Sequence, residues 1–338
     1  MLVLGIETSC DETAASVVKD GKEVLSSVVA SSAEMHVKTG GIIPERAARQ
    51  QIKSILPVIG EAFKKADKKQ KEIDAIAITV GPGLIGSLLV GIETAKTFSS
   101  IWRKPIIPVN HLVAHLYANW LGGALPVFPL IGLVVSGGHT DLVYMKGHGQ
   151  LELIGTTRDD AAGECFDKCA RILGLPYPGG PSIAKEADDY LRGHKNPILN
   201  IFPRPMMGEK SFDFSFSGLK TAVLREKDRV KKLKEKVPEF SANVQEAVVD
   251  VLVDKTVKAF KKYHSESLLL GGGVSANARL TEKLKIILRK NSLSPKLFVP
   301  EPKLCTDNAA VIASCAFYNN RPIPWQKVFP NPELMIVS

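Results

Sequence analysis

His111 and His115 lie four residues apart in the run Val109-Asn110-His111-Leu112-Val113-Ala114-His115. Four residues is close to one turn of an α-helix, so both imidazoles fall on one face and can address one object. An apolar stretch over residues 105–109 precedes them and reads as a strand end running into a helix. Imidazole is a common ligand for borderline metals, and a helix that fixes two ligands leaves one or two to come from elsewhere. Asp307 is the best remote candidate, since Leu304-Cys305-Thr306-Asp307-Asn308 opens an apolar helical pattern over residues 309–318. The competing reading is two core or solvated histidines at helical spacing by chance. The peptidase signature His-Glu-x-x-His is not met, because Leu112 holds the place of the general-base glutamate.

A second group of polar residues is Ser9-Cys10-Asp11-Glu12-Thr13, which joins the first two strands and puts two carboxylates in a tight turn. Asp11 or Glu12 either orients a nucleophile or repels the wrong anion; the plainer alternative is a polar turn with Asp11 bonded to its own backbone. Glycine-rich turns are expected at five strand ends, at residues 5–8, 81–83, 136–140, 179–181 and 271–273. Glycine lets a backbone approach a ligand with its N–H groups free for phosphate oxygens, and a helix starting at Ser275 adds its positive end. One such loop is an ordinary turn; five in two similar halves point to a nucleotide cleft. None matches the P-loop or a dinucleotide fingerprint. Asn277, after the triple glycine, is placed to bond a ribose or an amide. Asp159 or Asp160 fits the N-cap of a helix beginning near Ala161, whereas Asp167 lies past its first turn and has no capping reason to be acidic.

The elements that must position these groups come in a repeated order. Strands are expected over residues 2–7, 13–18 and 22–29, then an amphipathic helix over 44–66, a strand over 73–80 and a small-residue helix over 84–101. The order restarts with strands at 129–135, 140–146 and 151–154, helices at 161–173 and 181–191, a turn at 212–220, a helix at 239–264 and a strand at 267–270. This predicts an α/β protein of two actin-like halves (the ASKHA, RNase H-like class) facing each other over a cleft. The first half takes residues 1–125 and is completed by the tail from 306 to 338; the second, with helical insertions, takes 126–305.

A chain of 338 residues is long enough for two domains, and 45% hydrophobic with 23% charged residues is ordinary for a globular protein. The formal charge of +9 favours a polyanionic partner, and part of it is clustered over residues 64–71 and 225–236. Solvated helix faces explain those clusters equally well, since Glu226, Asp228 and Glu235 are interspersed in the second. Five cysteines are too few and too irregular for a disulfide framework, and Cys165 and Cys169 read as small buried side chains. With no leader ahead of the first strand and no membrane-length apolar run, a cytoplasmic enzyme is expected.

Taken in order, Gly5-Ile6-Glu7-Thr8-Ser9-Cys10-Asp11-Glu12-Thr13, Gly81-Pro82-Gly83, the His111/His115 pair, Val135-Ser136-Gly137-Gly138-His139-Thr140, Asp159-Asp160-Ala161-Ala162-Gly163-Glu164, Phe212-Asp213-Phe214-Ser215-Phe216-Ser217-Gly218-Leu219-Lys220, Gly271-Gly272-Gly273-Val274-Ser275-Ala276-Asn277 and Cys305-Thr306-Asp307-Asn308 closely resemble the tRNA threonylcarbamoyladenosine transferase family (TsaD) of bacterial type. The resemblance spans essentially the whole chain. It implies transfer of threonylcarbamoyl from threonylcarbamoyl-AMP to N6 of the adenosine 3′ of the anticodon, in tRNAs reading codons that begin with A. It implies one divalent metal per chain, Fe(2+) first and Zn(2+) second, on His111, His115 and Asp307. Val134, Val135, Ser136, Gly137, Gly138, Asp167, Gly180 and Asn277 would hold the adenylate intermediate, and Asp11 and Glu12 are the catalytic candidates. The family works with a smaller actin-like paralogue and a P-loop ATPase, and a separate enzyme makes the intermediate. Two positions depart from the pattern: Gln51 where many members carry histidine, and Ala184 where many carry aspartate. The alternatives are a metalloendopeptidase, an activity once ascribed to this family, and an actin-fold small-molecule kinase.

Overall fold

Each of the two strand-rich starts folds into an antiparallel ribbon. In the computed structural model, which describes residues 1–32, 42–195, 197 and 199–337, the first ribbon is β1 (Leu2–Glu7), β2 (Glu12–Lys19) and β3 (Glu23–Ser31). Its nearly continuous apolar inner strands reflect burial on both faces, as Val3, Leu4, Ile6, Ala15 and Val17 are inaccessible. Helix α1 (Pro44–Ala66) follows, then β4 (Ala75–Gly81), α2 (Ile85–Trp102), β5 (Ile106–Asn110) and the seven-residue α3 (His111–Tyr117). The sheet order is β3-β2-β1-β4-β5, with β1, β4 and β5 parallel.

The second ribbon is β6 (Leu130–Val135), β7 (Thr140–Gly147) and β8 (Gln150–Thr156). Helices α4 (Ala162–Leu173), α5 (Gly179–Gly193), α6 (Ser217–Arg229) and α7 (Leu233–Lys262) lead to β9 (Ser267–Gly271), α8 (Ala278–Lys290) and β10 (Lys296–Phe298). The sheet order is β10-β9-β6-β7-β8, and β6 is antiparallel to β7 and parallel to β9. The same five-strand plan therefore occurs twice. Helices α9 (Pro302–Cys305) and α10 (Ala309–Tyr318) close the chain.

Two compact units result: Met1–Pro126 with Gly147–Gln150 and Pro300–Ser338, and Val127–Lys146 with Leu151–Val299. Each has its own core. In the first, Leu4, Ile6, Ile76 and Ile78 pack against Ile55, Ile59, Leu88 and Ile92; in the second, Leu133, Leu268 and Leu270 pack against Phe166, Val248 and Leu252. Among the described residues, no helix is long and apolar enough to cross a membrane.

Several local expectations need correction. Asp159 and Asp160 do not cap α4, whose N-cap is Ala161 with no side-chain bond. Asp159 instead accepts from Phe216 N–H, Ser217 N–H and both serine hydroxyls of Ser215 and Ser217, so it holds the start of α6, while Asp160 pairs with Lys168. The segment read as a turn thus ends in a helix that sequence patterning did not separate from its basic run. Gly179 and Gly180 are the first residues of α5 and do not form a turn at a strand end, and Ser275 sits in a short 3-10 turn with the α-helix starting only after Asn277.

Candidate metal centre and nucleotide loops

The metal candidates are assembled within the first unit. β5 delivers Asn110 to the start of α3, where its Oδ1 accepts from Leu112 and Val113 N–H and caps the helix. That cap sets the helix phase that puts His111 and His115 on one face. Asp307 arrives from the other end of the chain. Glycine at position 5 lets α10 approach β1, since a Cβ there would meet the Ala309 carbonyl oxygen at 2.2 Å, and Asp307 stands next to Asn308, the N-cap of α10. The Nε2 atoms of His111 and His115 are 3.1 Å apart, and Asp307 Oδ1 lies 3.4 and 3.5 Å from them.

This donor set fits a divalent ion. Tetrahedral ligands at bonds of about 2.1 Å are about 3.4 Å from one another, and the three atoms already have that spacing. Two histidines and one carboxylate are ligands for iron(II) or zinc alike. The electrostatics also call for a cation. Burial pushes the Asp307 carboxyl up, but the charge and hydrogen bond of His111 and the charge of His115 hold it well below the usual carboxylate range. Burial pulls His111 down, yet the charges of Glu7 and Asp307 carry it well above the usual imidazole value. One buried carboxylate, Glu7, and one partly buried, Asp307, around two imidazoles favour positive charge, as a proton on His111 or as a bound metal ion.

Sequence patterning missed Glu7. Its carboxylate is 1% exposed, with Oε2 3.0 Å from His111 Nδ1. A lone acidic residue inside an apolar strand was the available signal, because a buried charge needs a partner.

Asp11 lies in the turn after β1 and Glu12 opens β2, and the turn is pinned from several sides. Gln51 Nε2 donates to the Cys10 and Glu12 carbonyls at 3.1 and 3.0 Å, Ser87 Oγ donates to Cys10 O, and Leu84 N–H donates to Ser9 O. The departure at Gln51 is therefore a buried brace of the acidic turn. Burial, partly offset by the Ser31 hydroxyl and reinforced by Asp11 and Asp307, pushes the Glu12 carboxyl up to about 7. Its Oε2 is buried and has no hydrogen-bond partner among the described residues.

The adenylate candidates all lie in the second unit. β6 and β9 are parallel neighbours with Val134 opposite Gly271, so the loops after them emerge side by side. Gly272, at φ +88, is a required glycine, since a Cβ would meet Val135 O at 2.5 Å. Val134 and Val135 are fully buried within β6, main chain included, so neither expected contact is open to a ligand. Ser136, Gly137 and Gly138 turn over the start of α4, where Gly163 N–H donates to Ser136 O; Gly137 and Gly138 have open space on their Cβ side. Asp167 has a partner that sequence spacing did not reveal. It accepts from Gly179 N–H at 2.7 Å and also bonds Gly180, which braces the start of α5; burial nevertheless raises its carboxyl. Ala184, the second departure, lies half-buried on α5. Asn277 caps α8 through Leu280 N–H, and its Nδ2 donates to Gln245 Oε1 at 2.9 Å.

A sequence model of the family described as tRNA N6-adenosine threonylcarbamoyltransferase (TsaD) matches residues 23–314. Proteins of that name from Dehalococcoides mccartyi and Bacillus subtilis are 52% and 51% identical to the chain. The alignments cover 94% and 93% of this chain and 93% and 89% of those proteins. The fold is similar to component A of the (R)-2-hydroxyglutaryl-CoA dehydratase of Acidaminococcus fermentans, with TM-score 0.53 at 14% identity over 95% of this chain and 98% of that one. The chain thus has an α/β fold of actin-like class. It belongs to the tRNA N6-adenosine threonylcarbamoyltransferase family.

Proposed function

We propose that this chain transfers threonylcarbamoyl from threonylcarbamoyl-AMP to N6 of the adenosine 3′ of the anticodon in tRNAs reading codons that begin with A. The observation that carries the reading is the convergence of His111, His115 and Asp307 at ligand spacing in a chain of this family. An exocyclic adenine amine is a poor nucleophile, so the acyl carbonyl must be polarised and the departing AMP stabilised. When bound by His111, His115 and Asp307, iron(II) or zinc would supply Lewis acidity and a template for the reacting groups. The remaining work falls to the chain's own groups. The backbone N–H groups of Gly137 and Gly138, above the start of α4, suit the phosphate that leaves, while Ser136 N–H is spent on the His139 carbonyl and shapes the turn. Glu12, with its carboxyl near 7, suits uptake of the amine proton. Asp11 stays beside it as the second catalytic candidate.

The tRNA partner is supported by the +9 charge and by Lys231 and Lys234, exposed lysines at the α6–α7 junction with no acidic partner among the described residues. The smaller actin-like paralogue is supported by an apolar groove between α1 and α2, where Ile52 and Leu56 are 64% and 60% exposed beside Leu89. A P-loop ATPase is retained as a partner because no turn in this chain carries that loop. We place the enzyme in the cytoplasm, where its tRNA substrate is. Against the peptidase alternative, Leu112 is a buried aliphatic residue at the place of the base. The kinase alternative has no use for the paired histidines.

The test is nucleoside analysis of unmodified tRNA incubated with threonylcarbamoyl-AMP, this chain and its partner proteins. Threonylcarbamoyladenosine is expected. No product, together with a metal-dependent peptidase rate, would replace this reading with the alternative.

A further inference from the structure

We propose that Glu7 is a positioning residue of the metal centre: its buried carboxylate fixes His111 in the tautomer that offers Nε2 as a ligand. The inference rests on the metal reading and goes beyond it, since Glu7 does not face the converging donor atoms. It stands at the end of β1, behind the His111 ring, with Oε2 on Nδ1 at 3.0 Å. The same Oε2 accepts from Thr79 Oγ1 at 2.6 Å, and Oε1 accepts from Ser9 N–H. Both oxygens are therefore fixed, one by a side chain of β4 and one by the turn after β1. Ser9 Oγ adds a longer contact to Nδ1 at 3.4 Å.

An ionised carboxylate only accepts hydrogen bonds, so His111 must donate from Nδ1. A neutral imidazole has one N–H, and spending it on Glu7 leaves the Nε2 lone pair aimed at His115 Nε2 and Asp307 Oδ1. The arrangement gives a sharp consequence for Glu7→Gln. Glutamine must turn its oxygen to Ser9 N–H, because a backbone donor cannot face an NH2 group. Its NH2 then faces Thr79 and His111. Thr79 can accept, but His111 must accept at Nδ1 and therefore carries its proton on Nε2, which blocks the ligand position. Glu7→Gln is satisfied internally yet wrong for metal.

The test titrates Co(II) into the full chain stripped of metal, following the ligand-field absorption, for wild type, Glu7→Gln, Glu7→Asp and His115→Ala. Circular dichroism checks the fold of each. Removing such a partner costs metal affinity about 10–100-fold. Glu7→Gln is expected to keep its fold and lose affinity in that range with an altered Co(II) spectrum. Glu7→Asp, which keeps the charge on a shorter arm, should fall between it and wild type, and it carries the test if the glutamine variant does not fold. Wild-type affinity and spectrum in Glu7→Gln, with His115→Ala defective, would overturn the role of Glu7 and leave the metal site standing. A wild-type chain that binds no Co(II) would overturn both.

Discussion

Asn110 Nδ2 donates to the Met335 carbonyl at 2.7 Å, joining the cap of the histidine helix to the C-terminal tail 225 residues away in sequence. The same side chain caps α3 through Oδ1, so one amide holds both the helix start and the tail. Asn110→Ala should lower stability by about 1 kcal/mol, the usual loss for an N-cap, and weaken metal binding. Asn110→Asp keeps the cap oxygen and loses the donor to Met335. Urea unfolding and metal titration of the pair separate the two contributions; equal stability of Asn110→Ala and wild type would remove the cap from the account.

Asn277 is similarly committed, to Leu280 N–H and to Gln245. Asn277→Ala should therefore cost about 1–2 kcal/mol of stability from the lost cap and the stranded Gln245 oxygen. Asn277→Ser keeps a capping hydroxyl. If the amide also touches the adenylate, the serine variant loses about 1–3 kcal/mol of adenylate affinity while its unfolding midpoint falls between those of Asn277→Ala and wild type, since Gln245 is still left without its donor. Wild-type adenylate affinity in the serine variant assigns Asn277 to the helix alone.

Glu12 gives a pH signature. Its folded carboxyl stands at about 7 against an ordinary 4.5, so the folded chain holds a proton that the unfolded chain has released. Stability from this group is full below about pH 4.5 and is lost as pH rises through about 7. Glu12→Gln should gain stability relative to wild type over that window, measured as urea midpoints at a series of pH values. A difference that does not change with pH would show that Glu12 ionises normally.

The basic junction makes a salt-dependent prediction. Affinity for tRNA should fall steeply as salt rises, because neutralised phosphates release counterions. Changing Lys231, Lys232 and Lys234 to glutamate should lower the affinity and flatten that slope. An unaltered binding curve would make the cluster a solvated face.

The repeated strand plan was legible because β-branched runs and turns alternate so regularly over residues 2–31 and 130–156, and the helix at residues 44–66 was legible from its amphipathic period. The His111/His115 pair was legible because helical spacing alone implies a shared face. What could not be read were side chains acting across the chain. Asp159 serves a helix start 57 residues on, and Asp167 serves one 12 residues on, so neither obeys local capping rules. Glu7 was hidden for the same reason: its partner His111 is 104 residues away. Gln51 looked like a departure from a pattern, and only its carbonyl partners show it bracing the acidic turn.

The most direct measurement is metal content together with threonylcarbamoyladenosine yield for wild type and the His111→Ala, His115→Ala double variant, in the reconstituted reaction. Wild type should carry one metal per chain and form the modified nucleoside, and the folded double variant should lose both. Full metal retention, or an undiminished yield, in the double variant would contradict the account.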